Sequence, residues 1–176
     1  MVANLYRGRD YCQIWTQRLV LVTHRGVICQ RGVVTERVIA SAEAEEQAFQ
    51  QAVREAEAEG YVPLEKIPNS QILVNYKVST WEDAEIQSFK NTLQSLLGDI
   101  LGWTGNGYCD GFTLGREGLS MWCLVVDADL ALPTLLAGLE KNRLLHDEEG
   151  SARLAVPDGD CYSLIYPEEE RGQRLL

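Results

Sequence analysis

The chain has 176 residues, 45% of them hydrophobic, and its 16 Lys+Arg against 26 Asp+Glu leave a net charge of −10. That length accommodates one full core or two small ones. No apolar run approaches the roughly 18 residues that a membrane-spanning helix requires, so no transmembrane segment is expected.

The opening residues, Met1 to Asp10, lack the apolar stretch of a secretory signal, and a cytoplasmic location is the expectation. Charge is placed unevenly. Residues 1–66 carry a net of −1 and residues 67–176 a net of −9. Within Met1 to Ala40, Arg7, Arg9, Arg18, Arg25, Arg31 and Arg37 face only Asp10 and Glu36. A basic opening is thus followed by an acidic remainder, which disfavours broad binding to phosphate backbones, since that needs clustered cations.

Gln13-Ile-Trp15 and Leu19-Val-Leu-Val22 are rich in aliphatic, aromatic and β-branched residues and predict two strands with Gln17-Arg18 as the hairpin tip. Val33 to Ile39 predicts a third, after Gly26 and Gly32. Ser41 is suited to cap the next helix, with Glu43, Glu45 and Glu46 favoured by the dipole of its first turns. Ala48, Phe49, Ala52, Val53 and Ala56 recur at helical spacing. Gly60 supplies a left-handed residue after the last turn, and Tyr61 can fold back onto it.

Pro63 to Pro68 reads as a linker or domain seam. Beyond it, Gln71 to Val78 predicts a strand, and Thr80-Trp-Glu-Asp83 resembles a capping box. The stripe Ala84, Phe89, Leu93, Leu96, Leu97, Ile100 continues as a helix to about Leu101, where Gly102 to Gly107 breaks it. Asp110 to Gly115 and Leu119 to Val126 predict two strands joined by Arg116-Glu-Gly118. Asp127 or Asp129 can cap a helix running to about Asn142, with Pro133 in its first turn. Ala152 to Val156 predicts another strand, Cys161 to Tyr166 an edge strand, and Glu168 to Leu176 a solvated polar tail. The order β-α-β-β-α-β is that of a ferredoxin-like layer. The predicted class is therefore α+β, with a small antiparallel sheet and helix in residues 1–66, a ferredoxin-like domain in 67–166 and a tail in 167–176.

Tyr11-x-x-x-Trp15, the strands punctuated by Gly26 and Gly32, and the helix closed by Gly60-Tyr61 together resemble the WGR domain family. The resemblance covers about residues 4–66. Where that family carries Trp-Gly-Arg, this chain has Arg25-Gly26-Val27, so the central glycine, Ile28 and Gly32 are what fit. The resemblance implies a small sheet packed by one helix. In the poly(ADP-ribose) polymerases of that family the module contacts DNA through residues that include the Trp and Arg. By that implication, nucleic acid is the alternative ligand here, with protein the favoured one.

Little in the sequence points to catalysis. Five cysteines, Cys12, Cys29, Cys109, Cys123 and Cys161, form no C-x-x-C, and His24 and His146 lie near no second ligand type. Neither a zinc site nor a cofactor is implied, and the thiols are expected to be free and mostly buried in a reducing compartment. Gly102-Trp-Thr-Gly-Asn-Gly107 follows a helix, whereas phosphate-cradling loops follow a strand and open a helix. Asp127 and Asp129 are explained by capping, with Asp110 the remaining carboxylate of that group. No G-x-S-x-G elbow accompanies either histidine, and Trp81, Trp103 and Trp122 read as core or interface anchors. Arg18, Arg25, Arg31, Arg37 and Trp15 are the candidate binding residues; solvent-facing arginines alternating with buried strand residues are the plainer account of them.

The expected function is non-catalytic: recognition of a protein partner through the first sheet, with no membrane role. Open sheet edges also leave room for a homodimer through the second half. A third reading is an acidic inhibitor or immunity-type protein that blocks a cationic partner by charge complementarity.

Overall fold

Strand-forming residues fill the first forty positions, and in the computed structural model they build an antiparallel sheet. The structure describes residues 1–78, 81–116, 118–145 and 151–175. It divides into two compact units, Met1–Pro68 with Trp103–Gly105, and Asn69–Gly102 with Asn106–Leu176. Among the described residues the chain is α+β, with two antiparallel sheets and three α-helices. No helix among them is long and apolar enough to cross a membrane.

The first sheet contains β1 (Val2–Arg7), β2 (Asp10–Gln17), β3 (Val20–Val27), β4 (Val33–Val38) and β5 (Val62–Pro63), ordered β4-β3-β2-β1-β5. Arg18 and Leu19, at φ of 51° and 62°, form the β2–β3 turn. Two left-handed residues give the twist that a two-residue hairpin prefers, so the tip lies one residue later than Gln17-Arg18. The sequence reading did not anticipate β1; it pairs along its whole length with β2, from Val2↔Trp15 to Arg7↔Asp10.

Alternation sends Leu5, Cys12, Ile14 and Leu21 to one face, where they pack on Phe49, Ala52, Ala56 and Tyr61. Three of these come from α1 (Glu45–Ala58). Ser41 does not cap that helix: a short 3-10 turn, Ala42–Ala44, intervenes, and Ala44 occupies the cap position. The neighbouring Ser41 hydroxyl lowers the pKa of the Glu43 carboxyl. The other end of α1 follows the local chemistry. Gly60 takes φ 92°, Tyr61 N–H donates to the Ala56 carbonyl at 3.1 Å and Gly60 N–H to Glu57 at 2.9 Å. This is the doubly bonded glycine stop of a Schellman motif. Residues 63–68 are more structured than a linker, since Pro63 pairs with Leu5 and Leu64 is fully buried.

The second unit contains β6 (Ser70–Tyr76), α2 (Asp83–Trp103), β7 (Gly107–Gly115), β8 (Gly118–Val125), α3 (Ala128–Lys141), β9 (Arg153–Asp158), β10 (Cys161–Tyr166) and β11 (Arg174–Leu175). The sheet order is β11-β10-β9-β6-β8-β7. Ile72, Val74 and Tyr76 of β6 and Met121, Cys123 and Val125 of β8 share a core with Leu93, Leu97 and Leu101 of α2 and Ala131, Leu135 and Leu139 of α3. The three α2 leucines recur every four residues and are fully buried. Each such burial stabilises by about 1.5–3 kcal/mol.

Helix α2 runs through Gly102 to Trp103, so the glycine-rich break is shorter than expected, and Ala84 of the predicted stripe is exposed. Thr80, the first residue of the expected capping box, lies outside the described residues, as does His146. The Glu85 carboxylate closes the start of the helix by accepting from Glu82 N–H at 2.9 Å. Asp127 caps α3, accepting from Leu130 N–H at 3.1 Å. Pro133 is the sixth helical residue rather than a first-turn one; its missing N–H removes the bond to the Asp129 carbonyl. The chain's end is not simply a solvated tail, because Arg174–Leu175 pairs with β10 and Leu175 is buried among Leu73, Ala155 and Leu164.

Candidate functional site

Within the first unit the sheet's edge, rather than either face, is most open. All six residues of β4 are exposed, Val33 to 70% and Val38 to 82%. β4 pairs with β3 from Val20↔Val38 to Arg25↔Val33, and among the described residues no strand pairs on its outer side. In the same register, Ile39 N–H donates to the Leu19 carbonyl at 2.8 Å. Hydrogen-bonded pairs alternate in an antiparallel ladder. Arg37, Thr35 and Val33 therefore turn their amides toward β3, while those of Val34, Glu36 and Val38 point outward.

A cleft of about 200 Å³ runs beside this edge, lined by Leu21, Thr23, Thr35, Arg37, Ala52 and Glu55, with Glu36 at its rim. The Glu55 carboxylate there accepts from the Gln51 side chain at 2.9 Å. An outward row of amides beside a part-polar cleft has the two elements that strand addition uses, main-chain pairing and a place for alternate side chains.

The five residues singled out from sequence do not form one patch. Arg18 sits at the β2–β3 tip and Arg31 in the exposed loop between β3 and β4, beyond the opposite end of β3. Arg25 and Arg37 share the helix-bearing face, but their register positions are separated by Leu21 to Arg25, a rise of roughly 14 Å. Trp15 is half-buried on the other face, opposite Val22.

Arg25 is already engaged. Its guanidinium makes two hydrogen bonds to the Glu59 carboxylate, at 2.6 and 3.1 Å, and lies 5.6 Å from the centre of the Tyr61 ring. Arg7 joins it, 4.7 Å from the same ring, while donating to the Glu59 carbonyl at 3.0 Å and to Asp10 at 3.1 Å. The pairing raises the Arg25 pKa and lowers that of Glu59. Cys12, across from Arg25, has its thiol pushed up by burial. Arg25 and Arg7 thus act on the glycine stop of α1.

The reading from sequence missed the polar cluster on the sheet's other face. Tyr11 Oη lies 2.9 Å from His24 Nε2, and His24 Nδ1 lies 3.0 Å from Gln13 Oε1. All three side chains are buried. Two arrangements of protons satisfy them: either Nδ1–H donates to Gln13 and Nε2 accepts from the Tyr11 hydroxyl, or, with the Gln13 amide turned, Nε2–H donates to the Tyr11 oxygen while its hydroxyl donates to the Gln30 carbonyl at 3.5 Å. Burial lowers the His24 pKa, in keeping with a neutral ring, and raises that of Tyr11, against a smaller opposing effect of the hydrogen bond from Gly32 N–H. Gly26 and Gly32 pack directly on Tyr11, Gly105 lies against its ring, and Trp103 meets His24 edge-on at 5.2 Å.

His24 therefore has an amide and a phenol as hydrogen-bonding neighbours, and Cys123 lies opposite another cysteine on β7. Among the described residues no three of His, Cys, Asp and Glu gather as metal ligands would. No family model matches the chain, and no curated protein or solved structure matches it.

Proposed function

We propose that this protein is a non-catalytic recognition module that takes an extended segment of a cationic partner protein onto the outer edge of β4. The observation carrying this reading is that all six residues of β4 are exposed, with the amides of Val34, Glu36 and Val38 directed away from β3. Edges of this kind are usually blunted by charge, bulges or covering elements because they recruit other strands. β4 has three valines, a regular register and no bulge.

Charge selects the class of partner. Glu36 and Glu55 stand at the cleft beside the edge with Arg37 as the one basic residue of its lining, and the whole chain carries −10. Two copies would repel through their net charge, whereas a cationic segment is steered in. The engagement of Arg25 and the wide spacing of Arg18, Arg31 and Arg37 weigh against a phosphate-reading surface.

The first unit is WGR-like, a reading supported by Gly26 and Gly32 packing on Tyr11 and by the Gly60 stop. The second is ferredoxin-like, supported by the order β9-β6-β8-β7 with α2 and α3 in the expected places of the chain; β10 and β11 extend that sheet.

The test is selection from a random-peptide library displayed on phage, using the full chain as bait. Expected are peptides with alternating apolar residues and Lys or Arg, whose affinity falls at least tenfold for Glu36→Pro. Proline there removes one outward amide at a position where edge strands accept it, and circular dichroism checks that the fold is kept. Equal affinity for both forms would refute the edge as the site. Binding of mixed-sequence DNA that Arg18→Ala and Arg31→Ala weaken would replace the protein partner by nucleic acid.

A further inference from the structure

Cys109 on β7 and Cys123 on β8 stand directly opposite one another. The Val126 N–H donates to the Asn106 carbonyl at 3.2 Å, in the register that pairs Tyr108 with Leu124 and Cys109 with Cys123. Alternation along the ladder makes Tyr108↔Leu124 a hydrogen-bonded pair and Cys109↔Cys123 a non-hydrogen-bonded one. That second class brings Cα atoms to about 4.5 Å and side chains closest together, within the range of roughly 4.4–6.8 Å that a disulfide spans. The Cys109 thiol donates to the Gly111 carbonyl at 3.9 Å, and the two thiols shift each other's pKa. Both are free, and none of the other three cysteines has a cysteine as its strand partner: Cys12 faces Arg25, Cys161 faces Asp158, and Cys29 lies in the β3–β4 loop.

The two members of the pair are unequal. Cys123 is fully buried in the core under α2 and α3, whereas Cys109 is half-buried on the outermost strand of the sheet, beside a bulge that leaves Asp110 without a partner. The neighbouring Cys123 thiol lowers the Cys109 pKa, while the Cys109 thiol together with burial raises that of Cys123. The more accessible sulfur is therefore also the better nucleophile.

We propose that Cys109 and Cys123 are a redox-active dithiol that closes to a disulfide when a peroxide oxidises it. The Cys109 thiolate attacks one oxygen of hydrogen peroxide; an S–O bond forms, the O–O bond breaks, and the leaving hydroxide becomes water by taking up the proton that the Cys109 thiol released on ionising. The Cys123 sulfur then attacks the sulfenic sulfur of Cys109. The S–S bond forms, the S–O bond breaks, and the departing hydroxide takes the Cys123 proton as a second water. Two thiols lose two electrons in all, and one peroxide becomes two waters. The product staples β7 to β8 beside the bulge, and excess dithiol reductant reverses it by exchange.

The test uses the full chain with all five cysteines. After a brief exposure to hydrogen peroxide, free thiols are alkylated and the unreduced protein is digested with trypsin. Arg116 lies between the two cysteines, so only a disulfide holds their peptides together. The expected first product is this linked pair, with two free thiols lost per chain and both recovered on reduction. In Cys123→Ser the expected product is a Cys109 sulfenic acid that dimedone traps; in Cys109→Ser, Cys123 stays unmodified. Oxidation of Cys29 or Cys161 ahead of the pair, a link between chains instead of within one, or oxidation of Cys109 beyond sulfenic acid in the unaltered protein would each overturn the proposal. Because the first measurement needs no variant, it stands even where a serine substitution unfolds the second unit.

Discussion

In the second unit, Leu93, Leu97 and Leu101 line one side of α2 and meet β6 and β8 in an apolar core, while Asn75, Ser120 and Arg153 of the same sheet are buried and hydrogen-bonded to one another. In the first unit one face of the sheet is organised by Tyr11, Gln13 and His24, three buried polar side chains joined by two hydrogen bonds. The difference lies in what each arrangement tolerates. Apolar packing degrades by degrees as volume is removed, whereas a buried polar chain depends on each partner and on the space around it.

The largest expected effect is therefore in the apolar core. Leu97→Ala removes a fully buried side chain and is expected to cost about 2–5 kcal/mol. Urea unfolding gives the total, and amide hydrogen exchange shows which unit has lost protection. A loss spread evenly over both units would break the comparison, since it would mean they unfold as one.

Gly32→Ala comes next, at about 3 kcal/mol. A methyl there would stand 2.5 Å from the Arg25 carbonyl and 2.7 Å from His24 Nε2, and would also strike the Tyr11 hydroxyl. A backbone carbonyl cannot swing aside as a side chain can. The expected signature is lost protection in β2 and β3 with α2 unchanged. Unaltered stability would show that the space at Tyr11 is not tightly held.

A smaller effect depends on pH. The lowered His24 pKa means that the folded protein resists protonation which the unfolded chain accepts near pH 6.5. The contribution is complete above about pH 6.5 and is lost progressively as pH falls toward the lowered folded value. Protonation makes both ring nitrogens donors, and the Tyr11 hydroxyl can then turn to the Gln30 carbonyl, so burial of the charge is what costs stability. The unfolding free energy should thus fall more between pH 7 and 5 in the native protein than in His24→Gln. Parallel falls in the two would assign the acid sensitivity to the carboxylates instead.

The sequence revealed helix ends better than sheet partners, for a physical reason. Gly60-Tyr61 and Asp127 act on amides and carbonyls within one turn, so their chemistry is legible from neighbours in the chain. Ser41 failed by the same standard, because the 3-10 turn Ala42–Ala44 follows it and moves the cap position of the helix to Ala44. Sheet partners depend on where each hairpin turns. Placing the first tip at Gln17-Arg18 shifts the partner of Gln13 from His24 to Val22 and hides the polar cluster. Counting back from Gly115↔Gly118 gives Asp110 as the partner of Cys123, and only the extra bulge residue puts Cys109 there. The candidate edge was legible as a strand but not as an edge, since its exposure depends on which strands lie beside it. The four arginines were legible as charges, but the engagement of Arg25 with Glu59, 34 residues away, was not.

That pair supports the smallest prediction. Arg25 and Glu59 side chains are 39% and 44% exposed, so water and salt screen them despite two good hydrogen bonds. Arg25→Ala should cost about 0.5–1 kcal/mol, and the cost should shrink as salt is raised from 0.05 to 1 M. The cost of Leu97→Ala should not shrink in this way, because apolar packing has no charge to screen. The contact of the guanidinium with Tyr61 adds a part that salt removes incompletely, so Arg25→Lys separates the two contributions. Lysine keeps the charge and loses the forked geometry. If Arg25→Lys behaves like the native protein at every salt concentration, charge alone holds the end of α1; if it behaves like Arg25→Ala, the paired hydrogen bonds to Glu59 do.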